Sequence, residues 1–480
     1  MRAILTIVLC SALLPLRSQE RFGLLHSNYA GTDMSYLNPA RTAGQWPYAD
    51  IRFVGVDLNV WNSLVAWSGR EQRLVGELRS GVAGNTSGDV VMRGSPLGGI
   101  HRGFAQVNVL GPAFSLSLGR GTIGAGIRLR TYTSVTGPSQ ALGNFIFHGL
   151  GFRPQRGIRY NEEGVRALTA AWTEFSVNYA HILKAEGFGM LSAGTNLRYQ
   201  IAQAGGALQF DGLDYTVVDS AQLIVHAATA SYGFAMPTAN AGHGFGADVG
   251  MVYERTLEEA DGYMPHRSSG GCDPLRYRYR IGVSLLDLGG LRFRNGEAGS
   301  IHTGSTNIAD YTDLHINDQQ DLDSLLSTVT QWSREESFRI GMPTALALQV
   351  DQRVIDHGYI GFAAVQQLSG RSSTRLRRMN ALAVTPRFET RYVEAALPIT
   401  VQEYDLLRPV VGLMLRFDGV VIGTDNLLPF VTTRDVYAVD FYLRLRWMIH
   451  RSPFCKGKRK SNTVHRAGTT EALPCATPND

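Results

Sequence analysis

The sequence predicts an all-β fold, a transmembrane antiparallel β-barrel of about 14 strands within a range of about 12 to 16. Segments in which apolar and polar residues alternate recur along the chain, as in strands with two different faces. The 53 glycines, 19 tyrosines and 20 phenylalanines suit strands joined by many turns. No later run of about 18 apolar residues indicates a membrane helix, and a barrel needs none. A soluble periplasmic β-protein is the alternative.

The first 18 residues have the features of a secretory signal peptide. Arg2 provides the positive start, a short apolar core follows, and cleavage is expected before Gln19. That core is too short to cross about 30 Å of hydrocarbon. We therefore expect export to the outer membrane of a Gram-negative cell. The expected segments are a signal peptide at 1–18, a hatch or plug at 19–49, the barrel at 50–450 and a basic, disordered periplasmic tail at 451–480.

The last predicted strand, VYAVDFYLRLRWMIH at 436–450, has the clearest alternation, with apolar side chains at odd positions and arginines at even ones. From Tyr437 to Trp447 the strand rises roughly 33 Å, which projects to about 25 Å at a tilt of about 40°. That is the height between the aromatic girdles of a membrane barrel. We predict that the odd side faces lipid, with Tyr437 and Trp447 in the girdles. On this basis Leu443→Arg impairs insertion and Arg444→Leu does not.

Loop lengths also indicate a barrel. Very short turns join some strands, and long polar stretches join others. Short turns at one end and long loops at the other are typical of outer-membrane barrels and unusual in soluble sandwiches. The short turns are predicted at 119–121, 185–187, 355–357, 390 and 418–419, and the long stretches at 134–172, 202–221, 256–275 and 296–341.

Arginines recur on the polar faces of the predicted strands. A charge at the lipid midplane costs about 2–4 kcal/mol, so we predict that these arginines face the lumen. One interpretation pairs them with lumen carboxylates, the candidates being Asp248, Glu254, Glu394 and Asp440. The other is a lining that prefers anionic solutes or lipid head groups. The predicted lumen-facing residues are Arg128, Arg130, Arg276, Arg278, Arg280, Arg416, Arg444 and Arg446.

One segment departs from strand periodicity. In DLDSLLSTVTQW the apolar residues from Leu322 to Trp332 recur at helical spacing. We predict one short amphipathic helix near 322–332 that packs on a loop or at the barrel mouth, with a plug or a partner-docking helix as the alternative.

Three cysteines remain after the predicted signal peptide. They are Cys272, Cys455 and Cys475. A bridge between Cys455 and Cys475 is one option, and the spacing does not require it.

No motif of an enzyme, a cofactor site or a metal site is convincing. GRGTIG at 119–124 matches a dinucleotide fingerprint, but a strand rather than a helix follows it. NDQQDLD at 317–323 lacks the glycine and spacing of a calcium loop. Neither HExxH, paired CxxC nor a nucleophile elbow is present. We assign no catalytic, cofactor-binding or metal-binding residue, and the small net charge of +5 argues against nucleic acid.

Two short motifs carry a resemblance to known barrels. SYLNPARTAG at 35–44 precedes the first strand and contains Asn38, Pro39 and Ala40. It resembles the hatch segment of outer-membrane barrels related to the fatty acid transporter FadL and to PorV of type IX secretion. The stretch 412–430 contains Gly-Thr-Asp-Asn at 423–426 and resembles an uncharacterised barrel family known only as a domain of unknown function.

The resemblance implies a 14-strand barrel with the hatch inside, and it transfers no catalytic or ligand-binding residue. The basic tail departs from the usual plan, in which such barrels end at an aromatic strand terminus. The expected function is passive transport or holding of a hydrophobic or amphiphilic small molecule. It would enter from the long-loop side, and displacement of the segment around Asn38–Ala40 would control its exit.

A second expected function is a non-transporting scaffold or partner of a secretion or cell-surface assembly complex, and an enzyme has little support. The expected partners are outer-membrane lipid, a hydrophobic small molecule and secretion or surface-assembly proteins, with no nucleic acid and no cofactor.

Overall fold

The fold is a closed antiparallel barrel with an N-terminal segment folded inside it. The computed structural model describes residues 21–69, 73–74, 76, 88–92, 100–267, 272–294, 296–308, 331–370, 374–433 and 435–455. The predicted signal peptide and most of the predicted basic tail, 456–480, lie outside these residues.

Fourteen strands form the barrel wall, and two of them are interrupted. Each pairs with its neighbours in sequence, and the first pairs with the last: Ala49 lies opposite Ile449. The wall strands are β1 (Ala49–Asn62), β4 (Arg102–Leu118), β5 (Gly121–Thr136), β7 (Val165–Glu186), β8 (Gly189–Val217), β10 (Gly242–Thr256), β11 (Tyr277–Phe293), β16 (Ala345–Ile355), β17 (Gly358–Gln367), β18 (Ala381–Glu389), β19 with β20 (Val393–Ala396, Ile399–Gln402), β21 with β22 (Val410–Val411, Leu413–Phe417), β23 (Val420–Thr424) and β24 (Ala438–Ile449).

This architecture confirms the predicted fold class and strand number. Side chains alternate along β24: Leu443, Leu445 and Trp447 are exposed on the outer surface, and Arg444 and Arg446 between them are buried. A broad band of exposed apolar side chains around a closed barrel is the surface that lipid covers. The protein is an outer-membrane β-barrel. Among the described helices, none combines the length and hydropathy of a membrane span.

Eight further strands lie outside the barrel wall or extend it. β8 continues beyond the start of β10, and there it pairs with β9 (Leu223–Ala235), which pairs in turn with β12 (Glu297–Thr303). This extension stands at the long-loop end. The additional strands are β2 (Val65–Gly69), β3 (Gly88–Met92), β6 (Arg159–Glu162), β9 (Leu223–Ala235), β12 (Glu297–Thr303), β13 (Thr306–Ile308), β14 (Gln331–Glu335) and β15 (Phe338–Gly341).

Two predicted long loops are corrected by the structure. Much of 202–221 is the upper half of β8. The stretch 256–275 lies at the short-turn end, where the backbone N–H of Gly187 donates to Asp261. The predicted segregation of long loops to one end is therefore incomplete.

The helices are short and irregular. The chain inside the barrel, residues 21–48, carries α1 (Phe22–Leu25) and the 3-10 helices Gly31–Tyr36 and Pro39–Gly44. We call residues 21–48 the plug, because residues 21–45 are buried apart from Tyr36 and Gly44. Outside the plug lie α2 (Gln140–His148), α3 (Leu428–Val431) and the 3-10 helix Arg153–Gln155.

The predicted helix near 322–332 is not supported at its end. Residues 322–330 lie outside the described residues, but Gln331 and Trp332 begin β14.

The suggested Cys455–Cys475 bridge is also corrected. Cys272 and Cys455 form a disulfide with a Cα–Cα distance of 5.6 Å, which ties the segment after β24 to the loop before β11.

Candidate functional site

The Asn-Pro-Ala motif docks on the barrel wall through backbone contacts. The Asn38 side-chain amide donates to the carbonyl oxygens of Met251 (3.0 Å) and Val283 (3.2 Å). Its Oδ1 accepts from the Ala40 N–H at 3.0 Å and caps the 3-10 helix that follows. A single asparagine therefore orders the plug and fastens it to β10 and β11.

Three glycines of the wall receive this motif. A Cβ atom at Gly250 would lie 2.2 Å from Asn38 Oδ1, and one at Gly282 would lie 2.8 Å from Asn38 Nδ2. A Cβ at Gly194 would lie 2.7 Å from Ala40 Cα. We call these residues of β8, β10 and β11 the glycine cradle, since the plug occupies the space where side chains would stand.

The second motif that carried the resemblance holds the start of the plug. Asp425 accepts from the backbone N–H of Phe22 at 2.7 Å and from that of Gly23 at 3.3 Å. The Tyr442 hydroxyl donates to Asp425 at 3.3 Å, and Asp440 accepts from the Asp425 N–H at 2.5 Å. The Gly-Thr-Asp-Asn turn thus lies inside the barrel and anchors α1.

Polar side chains tie the middle of the plug to the wall. Ser27 donates to Glu394 at 2.7 Å, and the Asn28 side chain donates to Glu389 at 2.8 Å. Arg280 donates to the Asn28 side chain at 2.9 Å. Because these groups are buried, each bond replaces water that the plug excludes.

One plug carboxylate is surrounded by arginines. Asp33 lies 3.1 Å from Nε of Arg444, 3.5 Å from Arg52 and 3.7 Å from Arg21. Arg444 also contacts Asp57 of β1 at 2.5 Å. Five buried charges from the plug, β1 and β24 therefore meet at the junction between the first and last strands.

Above the plug the lumen carries a second charged layer. Asp287 of β11 accepts from Arg130 (2.9 Å), Arg198 (2.8 Å) and Arg378 (3.3 Å). A cavity of about 20 Å³ lies in this layer beside Tyr36 of the plug, with room for about one water molecule.

The end of the lumen near the long loops is hydrophobic. Residues 374–380, here called the inward loop, fold into the barrel mouth: Gly341 N–H donates to Thr374 (2.9 Å), and Leu376 N–H donates back to Gly341 (3.0 Å). The Tyr132 hydroxyl reaches the carbonyl of Arg377 at 3.0 Å. The buried cluster beneath includes Tyr132, Leu168, Trp172, Leu291, Phe293, Ile340, Met342 and Leu376.

The loop before β11 covers the other end of the plug. His266 faces the carbonyl of Gln45, with Nε2 at 3.4 Å, and its ring meets Tyr48 edge-on at 5.6 Å. Burial lowers the pKa of His266.

Among the described residues no cluster of histidine, cysteine and carboxylate side chains could hold a metal ion.

Residues 101–425 match the family described as "Family of unknown function (DUF5723)". The chain belongs to this family. The match covers more than half of the chain and includes the cradle and most of the wall. No curated protein matches this DUF5723 chain.

Solved barrel structures resemble the DUF5723 chain at low identity. The toluene transporter TbuX of Ralstonia pickettii has a TM-score of 0.39 and 10% identity over 88% of this chain and 94% of its own. The P. putida toluene transporter TodX has a TM-score of 0.38 and 9% identity over 87% and 93%. A Pseudomonas aeruginosa FadL homologue has 0.23 and 9% over 91% and 99%. TM-scores below 0.5 support no inference about a ligand.

Most of the candidate lumen arginines of this DUF5723 barrel are buried and paired with carboxylates. The pairs are Arg128 with Glu174 (2.6 Å), Arg130 with Asp287 (2.9 Å), Arg280 with Glu254 (2.5 Å), Arg416 with Glu394 (2.8 Å) and Arg444 with Asp33 (3.1 Å). These contacts favour the interpretation in which the arginines pair with lumen carboxylates over the one in which they line the lumen to bind anionic solutes or lipid head groups. Arg446 is buried more loosely, 4.0 Å from Asp50, and Asp440 accepts from Thr424 and Asp425 instead of an arginine.

Arg276 and Arg278 lie elsewhere than predicted. Both side chains are exposed at the short-turn end, and Tyr277 between them is buried and donates to Asp351 at 2.6 Å. The cause is a bulge: Arg255 and Thr256 of β10 are consecutive, but they pair with Tyr279 and Tyr277. The pairing skips Arg278 of β11, and a skipped residue moves the preceding side chains to the opposite face of the sheet.

The two candidate girdle residues are placed differently from each other. Trp447 is 57% exposed on the outer surface near the short-turn end. Tyr437 precedes β24, is half-buried, and has the Arg408 guanidinium 3.9 Å from its ring centroid. Trp447 therefore has the surroundings of a girdle residue, whereas Tyr437 packs against a loop arginine.

Sequence reasoning missed Asp33, Asp57 and Asp287. Asp287 interrupts the apolar run SLLDLGG, and a lone carboxylate among residues of a buried strand was a usable signal. Asp33 gave none, because its partners are up to 411 positions away.

Proposed function

We propose that the protein passively transports or holds a hydrophobic or amphiphilic small molecule in the outer membrane. The observation that carries the proposal is the layered lumen. A hydrophobic cluster that includes Trp172, Phe293 and Leu376 lies at the long-loop end, next to the charged layer around Asp287. The inward loop covers it on one side and the charged layer and plug close it on the other, so an apolar solute would find a site between two closures.

The solute enters from the long-loop side by displacement of the inward loop. That loop is fastened by backbone bonds to Gly341, by the Tyr132 hydroxyl, and by ion pairs of Arg377 with Glu403 and of Arg378 with Asp287. The neutral hydrogen bonds among these contribute about 0.5–1.5 kcal/mol each, and the bonds to charged groups about 1.5–3 kcal/mol. Opening the loop exposes Leu376 and the aromatic side chains beneath it, and an apolar solute can replace that contact area.

Exit requires movement of the plug around Asn38–Ala40. This part of the plug is held on the glycine cradle by neutral bonds to carbonyl oxygens. Asp33, in contrast, meets three arginines, and separating buried charges is far more costly. The segment around Asn38–Ala40 is therefore the part that moves, while Asp33 stays in place.

A cross-link between plug and wall tests the proposal. Thr42 Oγ1 lies 2.7 Å from Asn178 Oδ1 of β7, so Thr42→Cys with Asn178→Cys can bridge them. In a liposome-swelling assay with solutes of graded hydrophobicity, wild-type protein should admit apolar solutes. The oxidised double variant should admit them at least about tenfold more slowly, with recovery on reduction.

Two controls separate the outcomes. Wild-type protein with and without reductant reports the effect of the native Cys272–Cys455 bridge, and Thr42→Cys alone reports the effect of the substitution. Equal rates for the oxidised and reduced double variant would overturn the exit route. Absence of uptake by wild-type protein, together with a stoichiometric co-purifying protein, would overturn transport in favour of the scaffold function.

A further inference from the structure

A row of basic side chains crosses the outer surface at the long-loop end of the barrel. Arg292 of β11 lies opposite His243 of β10 on one side and opposite Arg339 of β15 on the other. Directly opposed residues of an antiparallel sheet share a face, with Cβ atoms about 4.5–5.5 Å apart. Both arginines are exposed and His243 is half-buried. We call these three residues the basic row.

In the part of the chain that the structure describes, the two arginines of the basic row have no ion-pair partner. Within the described residues no carboxylate approaches Arg292 or Arg339 within the 4.0 Å of an ion pair. Like charges directly opposed across strands destabilise a sheet. Inside the same barrel, arginines such as Arg130 and Arg280 each meet a carboxylate. The unpaired outer arginines therefore indicate an anion supplied from outside the chain.

The height of the basic row places that anion at the membrane surface. On the outer face of β10, Phe245, Val249, Met251 and Tyr253 are all exposed. The rings of Tyr253 and Tyr279 lie side by side near the short-turn end, with centroids 6.4 Å apart. The ten residues from His243 to Tyr253 span roughly 33 Å, or about 25 Å when tilted, which is the height of the apolar band. The basic row lies at the head-group level of the outer leaflet.

The surroundings suit a lipid as well as a phosphate. His243 contacts the Tyr199 hydroxyl at 2.9 Å, and Tyr199 packs against Phe245 with centroids 5.5 Å apart. An open cleft of about 900 Å³ is lined by His243, Phe245, Arg292 and Arg339, and also by Glu335, a carboxylate that would disfavour a fully charged ligand close to it. Aromatic surface lies on the membrane side of the cations, where acyl chains would be.

We propose that the basic row binds a phosphate group carried by a lipid of the outer leaflet. Two guanidinium groups on adjacent strands can share one phosphate and donate to different oxygens. The Tyr199–Phe245 surface contacts the acyl chains of the same molecule. The bound lipid neutralises the opposed arginines and holds β11 and β15 together where the wall passes into its extension.

Binding of lipid A to the purified barrel in detergent tests this proposal. Arg292→Gln with Arg339→Gln should weaken the affinity at least about tenfold, measured by native mass spectrometry. Dephosphorylated lipid A should bind wild-type protein at least about tenfold more weakly, and millimolar inorganic phosphate should not displace lipid A.

A matched control uses two exposed arginines at the other end of β11. Arg276→Gln with Arg278→Gln removes the same charge and should leave the affinity unchanged, and heat-modifiable gel mobility checks that both double variants fold. Equal affinity of the Arg292/Arg339 variant and wild type, or equal weakening in the control, would overturn the proposal. Equal binding of dephosphorylated lipid A would show that the phosphate is not recognised and would overturn the proposal. Full displacement of lipid A by inorganic phosphate would show that the basic row binds free phosphate instead.

Discussion

Arg444 of the last wall strand donates through Nε to Asp33 of the plug at 3.1 Å, across 411 positions of sequence. The same guanidinium contacts Asp57 of the first strand at 2.5 Å and the carbonyl of Val56 at 3.2 Å. One buried arginine therefore joins the plug to both strands that close the barrel.

Asp33→Asn should destabilise the folded barrel by about 3–5 kcal/mol, the range for breaking a buried ion pair. The substitution leaves three arginines with less counter-charge in a site where Asp33 is fully buried. Thermal unfolding in detergent, followed by gel mobility, measures the loss. Asp214→Asn is the matched control, because its partner Arg159 is largely exposed, and such pairs contribute about 0–1 kcal/mol. Equal losses would contradict the role given to Asp33.

Leu443→Arg should impair membrane insertion, because Leu443 is exposed on the outer surface and an arginine at the midplane costs about 2–4 kcal/mol. The sequence alone predicted that Arg444→Leu would not impair insertion. The contacts of Arg444 with Asp33 and Asp57 reverse that expectation, since two buried carboxylates would lose their partner. The yield of heat-modifiable protein in membranes measures both variants, and wild-type yield for Arg444→Leu would contradict the structure.

Gly250→Ala should release the plug from the wall. The new Cβ would lie 2.2 Å from Asn38 Oδ1, so the side chain of Asn38 must leave the cradle. We expect faster protease cleavage of the plug and faster liposome swelling than wild type.

The glycine prediction has a control and a rescue. Gly212→Ala in β8 meets no atom within 4 Å and should leave both measurements unchanged. Adding Asn38→Ala to Gly250→Ala removes the colliding atom, so the two effects should be non-additive. Additive effects would contradict the prediction that Gly250→Ala acts by displacing Asn38.

Leu376→Ala should open the hydrophobic end of the lumen. Leu376 is fully buried, and truncating such a leucine costs about 2–5 kcal/mol. Because Leu376 belongs to the inward loop, the lost packing weakens the closed position of that loop, and uptake of apolar solutes should increase. Leu368→Ala, at an exposed position of the same connection, is the control, and equal uptake by the two variants would remove the inward loop from the route.

Alternation predicted the wall well where strands are regular. Leu443 and Arg444 face as the period of two requires, because only one face of a wall strand can meet lipid. It failed at Arg276 and Arg278, where a bulge skips one residue. Arginine and tyrosine alternate through this segment, so the sequence pattern looks the same whether or not one residue is skipped.

The plug was predictable as a segment but not as a set of contacts. The Asn-Pro-Ala motif indicated a hatch, yet the acceptors of Asn38 are carbonyl oxygens of Met251 and Val283. Every residue type provides such an acceptor. The cradle glycines were equally hidden among the 53 glycines of the chain, most of which could be explained by turns.

Met251 has two neighbours of opposite kinds. Its side chain is 46% exposed on the surface that lipid covers, and its carbonyl oxygen accepts from Asn38. With Gly250 beside it, a single peptide group separates the bilayer from the plug. A change in bilayer thickness that tilts β10 would shift that carbonyl directly, so the plug is mechanically coupled to the membrane at Asn38.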